Sequence, residues 1–424
     1  MGSNNKQSRL VELGSMIIFT ILDIVDSILC IVYAYIDHFL ETDTPSPCYC
    51  LQTSVSDSDS DSDSLYGRIR KPNSFRKLVG FINPNNNNSN NRILHKSIRN
   101  HDSTKRTCWS DCSCASCAAW IHNNYNDAHR LRLHVVVQQP EEKKVIENVI
   151  FLHGFMSSSS FWTETIFSHF SDHTKNKYRL FGVDLLGFGK SPKPRECLYT
   201  LEDHLEMIEE SIIFSFKLNS FHLVAHSMGS ILALALAAKY PDSVRSITLI
   251  APPYFPTCDK EEEEEASLFM LRKVASKKLW PPLVFGTSLM SWYEHLGRTV
   301  CFFICKYHRI WEFLLKLLTR TRDLHFLIMD STKHTHHSAW HTMHNVICGS
   351  AKKMEEYLAT LQKARLKVIV IHGEEDQIVP IECSYNIKIK IPDADIRIIP
   401  NTNHITVVLA QIKDFTQQLE LIWM

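Results

Sequence analysis

The chain has 424 residues, with 46 Lys plus Arg against 46 Asp plus Glu, 44% hydrophobic residues and 13 Gly; this ordinary globular balance excludes collagen-like and wholly disordered chains. At roughly 150 residues per domain the length admits two or three domains, but one large α/β core with an extension fits equally well. Zero net charge gives no global attraction to nucleic acid, and no nucleic-acid-binding signature is present; the 13 cysteines cannot all pair within one chain.

Met16 to Ile36 is mostly apolar and follows Lys6 and Arg9, the arrangement of a secretory signal or a membrane anchor. Asp23 and Asp26 interrupt it. At a bilayer centre Ile, Leu, Phe and Val each gain about 0.3–0.6 kcal/mol and each Asp costs about 2.5–3.5 kcal/mol, so the two contributions nearly cancel. The aspartates are three residues apart and share a helical face, which allows a helix lying in the interface or packed on the globular domain. Residues 1–45 are read as signal- or anchor-like, with entrance into the secretory path and membrane association favoured over a buried amphipathic helix of the mature protein. Lys6 stands where a myristoylation motif needs Ser or Thr.

Residues 46–129 form a low-complexity, basic and Cys-rich extension. Cys48 and Cys50 could be acylated or simply reduced; Asp and Ser alternate from Ser56 to Ser64, and Asn85 to Asn91 is nearly all Asn, compositions that cannot bury a core. The basic residues from Arg68 to Arg106 could meet anionic lipid or be a solvated linker. Asn87 opens a glycosylation sequon. Cys108, Cys112, Cys114 and Cys117 fall within ten residues. Four thiols can hold zinc, but structural sites normally use two separated Cys pairs, so disulfides or structural thiols are favoured and no metal site is assigned.

From Arg130 to the C-terminus, short Val/Ile/Leu runs alternate with helical patterns, which predicts an α/β fold with a mostly parallel sheet and flanking helices. The expected strands are Leu131 to Val137, Asn148 to Leu152, Arg179 to Val183, Phe221 to Ala225, Arg245 to Ile250, Lys367 to Ile371 and Asp395 to Ile399; near-continuous apolar runs suit burial on both faces. The alternation breaks over about 256–361, where Trp311, Leu314, Leu315 and Leu318 at helical spacing predict a helical cap able to bind an acyl chain.

Ala225-His226-Ser227-Met228-Gly229 follows an apolar strand and precedes an Ala- and Leu-rich helix, the context of a nucleophile elbow. Ala225 replaces the usual Gly, at a position that needs smallness. Serine is a weak nucleophile unless a base lies within hydrogen-bond reach and a carboxylate orients that base. Asp376, in the loop after a predicted strand, is the orienting acid, with Glu374 and Glu375 as solvent-facing competitors; His404, in the loop after the next strand, is the general base. The order Ser, Asp, His is that of α/β-hydrolases. An oxyanion hole needs two backbone N–H groups: Met228 supplies one, and Phe155 in His153-Gly154-Phe155-Met156 the other. His153 is read as structural. Gly187 and Gly189 allow a tight loop beside the site.

These segments together resemble the α/β-hydrolase superfamily from about Arg130 onward. The elbow within residues 221–229, Ala251 to Pro256, Trp109 to Cys114 and Ser338 to Asn345 resemble the plant BODYGUARD proteins more closely, as does the N-terminal apolar segment. The resemblance implies an extracellular, membrane- or wall-associated hydrolase-like protein needed for the cuticle, described as a lysophospholipase, and makes Ala225 a family feature. The expected activity is serine hydrolysis of a lipid acyl ester without a cofactor, at a membrane surface; no obligate protein partner is inferable. Acyl transfer and a non-catalytic lipid or hormone receptor are the alternatives. His334, His336, His337, His341 and His344 are read as cap residues that line or hydrogen-bond the pocket rather than bind metal, and Glu261 to Glu265 as a solvated run.

Overall fold

A computed structural model describes residues 2–40, 108–122, 131–140, 147–195, 197–256, 291–351 and 353–423. The Asp-Ser and Asn tracts, the basic tract, the sequon, Cys48, Cys50 and the Glu261 to Glu265 run lie outside the described residues.

Seven strands form one sheet: β1 (Val135–Gln138), β2 (Glu147–Leu152), β3 (Tyr178–Val183), β4 (Phe221–His226), β5 (Val244–Ile250), β6 (Lys367–Gly373) and β7 (Asp395–Ile399), in the order β1-β3-β2-β4-β5-β6-β7. Only β1 is antiparallel to its neighbour. It is shorter than the sequence suggests: the Leu133 amide is taken by Ser211 Oγ at 2.9 Å and the His134 amide by Ser191 Oγ at 2.9 Å, so pairing starts only at Val135.

The apolar runs of the strands follow from two cores. Ile150, Leu152, Leu223, Ala225, Leu249 and Val370 face one, while Val149, Phe151, Val224, Ile250, Ile369 and Ile371 face the other. Successive side chains of each strand thus enter opposite layers, and neither face can be polar. Helix α1 spans Gly2–Leu40, α2 Ala115–His122, α3 Leu201–Ile208 and α4 Met228–Lys239. From Met228 to Ala237 every side chain of α4 is buried, as expected for a helix apolar all round.

Between β5 and β6 the described chain is helical, with α5 (Glu294–Cys301), α6 (His308–Thr319), α7 (His336–Thr342) and α8 (Lys353–Lys363). Trp311, Leu314 and Leu318 do lie on a helix, but they are exposed along with Ile310, Phe313 and Leu317. The apolar stripe of α6 is thus solvent-exposed among the described residues.

Helix α1 packs on α5 through its polar residues. Asp26, fully buried, accepts hydrogen bonds from the His295 and Leu296 amides at 2.9 and 3.1 Å. It caps α5 in trans, satisfying amides that the first helical turn leaves without intrahelical partners. About three helical turns further on, Asp37 receives both arms of the Arg298 guanidinium at 2.7 and 2.8 Å and the Trp109 indole N–H at 2.6 Å. Asp23, on the same side by spacing, is exposed, so the pair separates into one buried and one solvated carboxylate.

Candidate active site

The sheet places the candidate residues at the carboxyl ends of its strands. After β2 the chain passes to β3 on one side, and β4 pairs with β2 on the other, so loops leaving β2 and β4 flank the point where strand order reverses, the usual ligand crevice of such sheets. His153 to Phe155 leave β2 there, and Ser227 leaves β4.

Ser227 occupies a backbone conformation of φ 51° and ψ −120°, outside the left-handed helical basin and costly for any residue with a Cβ. Its amide donates to the Ile250 carbonyl at 2.8 Å, and its carbonyl accepts from Ser230 N at 2.8 Å, which anchors the sharp turn from strand into α4. Gly229 lets that helix start close to β2: a Cβ there would lie 2.7 Å from the carbonyl oxygens of Leu152 and His153. Ala225, fully buried, fits without a glycine. Met228 is the first residue of α4, so its amide lies among those that a helix start leaves unbonded within the helix. Gly154 brings the β2 loop against the elbow, since a Cβ on it would sit 3.3 Å from Ser227 Cβ and 2.9 Å from His226 Nδ1.

Asp376 and His404 come together from loops after β6 and β7. The Glu374 and Glu375 amides donate to the Ile399 and Thr402 carbonyls at 3.0 and 2.8 Å, folding the second loop over the first. His404 Nδ1 then lies 2.7 Å from Asp376 Oδ2. The other carboxylate oxygen accepts from the Ile378 and Val379 amides at 2.8 and 2.9 Å. Burial alone would raise the Asp376 pKa, but the His372 and His404 hydrogen bonds outweigh it and hold the carboxyl below its ordinary range. It is therefore an anionic acceptor that fixes the Nδ1–H tautomer of His404 and leaves Nε2 as the basic nitrogen. Glu374 and Glu375 are exposed.

Two residues gain roles that the sequence did not signal. His372 Nε2 donates to the Val379 carbonyl at 2.9 Å and lies 3.2 Å from Asp376 Oδ2, so Asp376 is clamped between two imidazoles. His226 Nε2 donates to the backbone carbonyl of His404 at 2.8 Å, and its ring stacks on Phe161 at 4.9 Å. Burial pushes the His226 pKa down to about 3, so the ring is neutral and links the elbow to the His404 backbone. Only the contact across 178 residues reveals this role.

His153 is structural: Nδ1 lies 2.7 Å from the Gly154 carbonyl, and Nε2 accepts the Leu185 amide at 2.9 Å. Gly187 and Gly189, at φ 85° and 54°, shape the following loop, whose Phe188 packs edge-on against Phe155 at 5.7 Å. The His-rich segment is a hydrogen-bonding one. His344 contacts the Trp340 and Ser291 carbonyls at 2.7 and 2.9 Å, and His337 the Cys197 carbonyl at 2.8 Å. His334 stands apart from these, between Cys301 and Cys305.

The sheet order and the strained serine after its central strand define an α/β-hydrolase. Residues 147–278 match the family model described as alpha/beta hydrolase fold. The chain is 47% identical over 420 residues to the protein named probable lysophospholipase BODYGUARD 4 of Arabidopsis thaliana, covering 96% of each chain. It is 43% identical to BODYGUARD 5 of the same plant over 96% of this chain and 94% of that one. BODYGUARD 1 matches at 50% over 74% of this chain and 66% of that one. The chain belongs to the BODYGUARD family and is a lysophospholipase-like hydrolase.

Proposed function

We propose that the protein hydrolyses lipid acyl esters through Ser227, His404 and Asp376. Ser227 attacks the ester carbonyl while His404 Nε2 takes its proton; His404 returns that proton to the leaving alcohol, and water resolves the acyl-enzyme by the same route. The Phe155 and Met228 amides are the donors for the oxyanion. The observation that carries this reading is the Asp376–His404 hydrogen bond of 2.7 Å beside a serine held at φ 51°. Lipid ester chemistry also suits a role in cuticle formation, which the family resemblance implies.

The same proposal includes a retained N-terminal helix at a membrane surface. A cleaved signal would remove the carboxylate that caps α5 and the carboxylate that pairs with Arg298. Ile17, Ile21, Ile24, Ile28 and Phe39 of α1 are exposed, as are the apolar residues of α6, and exposed apolar patches of this kind mark lipid or protein contacts. The regions 1–45, 46–129 and 130–424, with a cap at about 256–361, then correspond to anchor, extension and catalytic unit, and the placement is extracellular at the plasma membrane or wall.

Labelling the full-length protein with a fluorophosphonate and assaying lysophospholipids, monoacylglycerols and hydroxy-fatty-acid esters tests the chemistry. Wild-type labelling lost in Ser227→Ala, with free fatty acid as product, is the expected result. A folded wild-type protein that does not label sinks the enzyme reading, and exclusive formation of transfer products replaces hydrolysis by acyl transfer. Mass spectrometry of the protein from plant membranes should find residues 17–40; a mature N-terminus beyond Leu40 would exclude the retained helix.

A further inference from the structure

Among its contacts with the insertion, the cysteine cluster ahead of the catalytic region meets a histidine. Cys112 and Cys114 precede α2 and Cys117 lies in its first turn, while His308 opens α6, almost two hundred residues later. Cys114 Sγ lies 3.5 Å and Cys117 Sγ 3.6 Å from His308 Nε2, and the ligand atoms of Cys112, Cys114, Cys117 and His308 all fall within 4.8 Å of one another.

Hydrogen bonding does not account for this convergence. An imidazole nitrogen has one lone pair or one proton and can satisfy one thiol, not three. Tetrahedral zinc with Zn–S of about 2.3 Å and Zn–N of about 2.0–2.1 Å places sulfur and nitrogen ligands about 3.5–3.6 Å apart, and both measured separations match. From these contacts we infer that Cys112, Cys114, Cys117 and His308 form a structural zinc site that clamps α2 to α6.

The surroundings suit an anionic metal–thiolate centre. The Cys114 amide donates to Cys112 Sγ at 3.4 Å, and the positive end of the α6 dipole lies at His308. Binding Zn²⁺ releases one proton from each thiol to solvent, so three thiolates, a neutral imidazole and the ion sum to one negative charge. The Arg309 guanidinium, which donates to Ser116 Oγ at 2.8 Å and adjoins Cys114, offsets it. Among the described residues no disulfide competes for these thiols. Sequence spacing marked the thiols but argued against zinc, because three ligands are local and the fourth, His308, comes from another part of the fold. Cys301, Cys305 and His334 repeat the 3.6 Å separation with one ligand fewer; the inference is confined to the four-ligand set.

The test is metal analysis of tag-free, full-length protein purified with mild reductant and without chelator. At least one zinc per chain is expected, with one equivalent lost in the Cys114→Ser/Cys117→Ser double variant and none lost in Cys301→Ser relative to that site. Because the double variant could misfold, cobalt(II) substitution of the wild-type protein supplies a second readout: a tetrahedral thiolate spectrum that shifts, but persists, in His308→Cys. Wild-type protein with no zinc above a chelator-washed blank and no such cobalt spectrum, a stoichiometric disulfide among these cysteines, or zinc content unchanged by the double substitution would each overturn the inference.

Discussion

The catalytic sheet and the α1–insertion region solve opposite packing problems. In the sheet, apolar side chains from both faces are buried. In the outer region Asp26, Asp37 and Arg298 are buried between helices, while Ile24, Ile28, Leu317 and Leu318 are exposed. The first pattern is that of a protein core surrounded by water. The second is stable in water only at a cost, and it suits a surface that meets lipid. The difference shows that an aspartate inside an apolar helix, here Asp26, can be absorbed by the amides of a partner helix.

The comparison can be tested at each end. The largest effect is expected for Ser227→Ala, which should lower kcat/KM by at least about 10³-fold while the thermal midpoint stays near wild type, separating chemistry from packing. Next comes Arg298→Ala, which leaves Asp37 buried without its cation and should reduce stability by about 3–5 kcal/mol in denaturant titration; the same variant should retain fluorophosphonate labelling at low temperature.

Strand β4 and helix α5 should also respond to pH in opposite directions. Burial lowers His204 and His226 to about 3 and His222 to about 4. The unfolded chain binds protons at these sites from about pH 6.5 downward while the folded core does not, so stability falls as pH drops from about 6.5 to 4, by up to about 1.4 kcal/mol per pH unit for each histidine. In the outer region burial opposes the charge on His295, but Glu294 and Asp26 raise it to about 10. Its contribution is full below about pH 6.5 and is lost as pH rises toward 10. Protection factors, corrected for the intrinsic exchange rate, should therefore fall at α5 amides in alkali and at β4 amides in acid; the same trend in both would break the distinction. The smallest stability change is expected for Leu317→Ser/Leu318→Ser, within about 0.5 kcal/mol per site for such exposed positions. Co-sedimentation with anionic vesicles should fall in that variant, and unchanged binding would remove α6 from the lipid-facing surface.

The strands, the helix after the elbow and the position of Ser227, Asp376 and His404 in loops at strand ends were legible in the sequence, because two-sided burial writes continuous apolar runs whose ends locate those loops. The resemblance to BODYGUARD proteins was legible for the same reason: the motifs are local. What only the tertiary structure decided are contacts between distant segments. His226 supports the His404 backbone, His372 clamps Asp376, Asp26 caps α5, and His308 meets three cysteines of the extension. None of these pairings leaves a periodicity or a spacing, since each depends on where the sheet and insertion bring two loops or helices together. The outward face of α6 belongs with them. Its helical period is written in the chain, but the direction that period faces is set by the helices packed behind it.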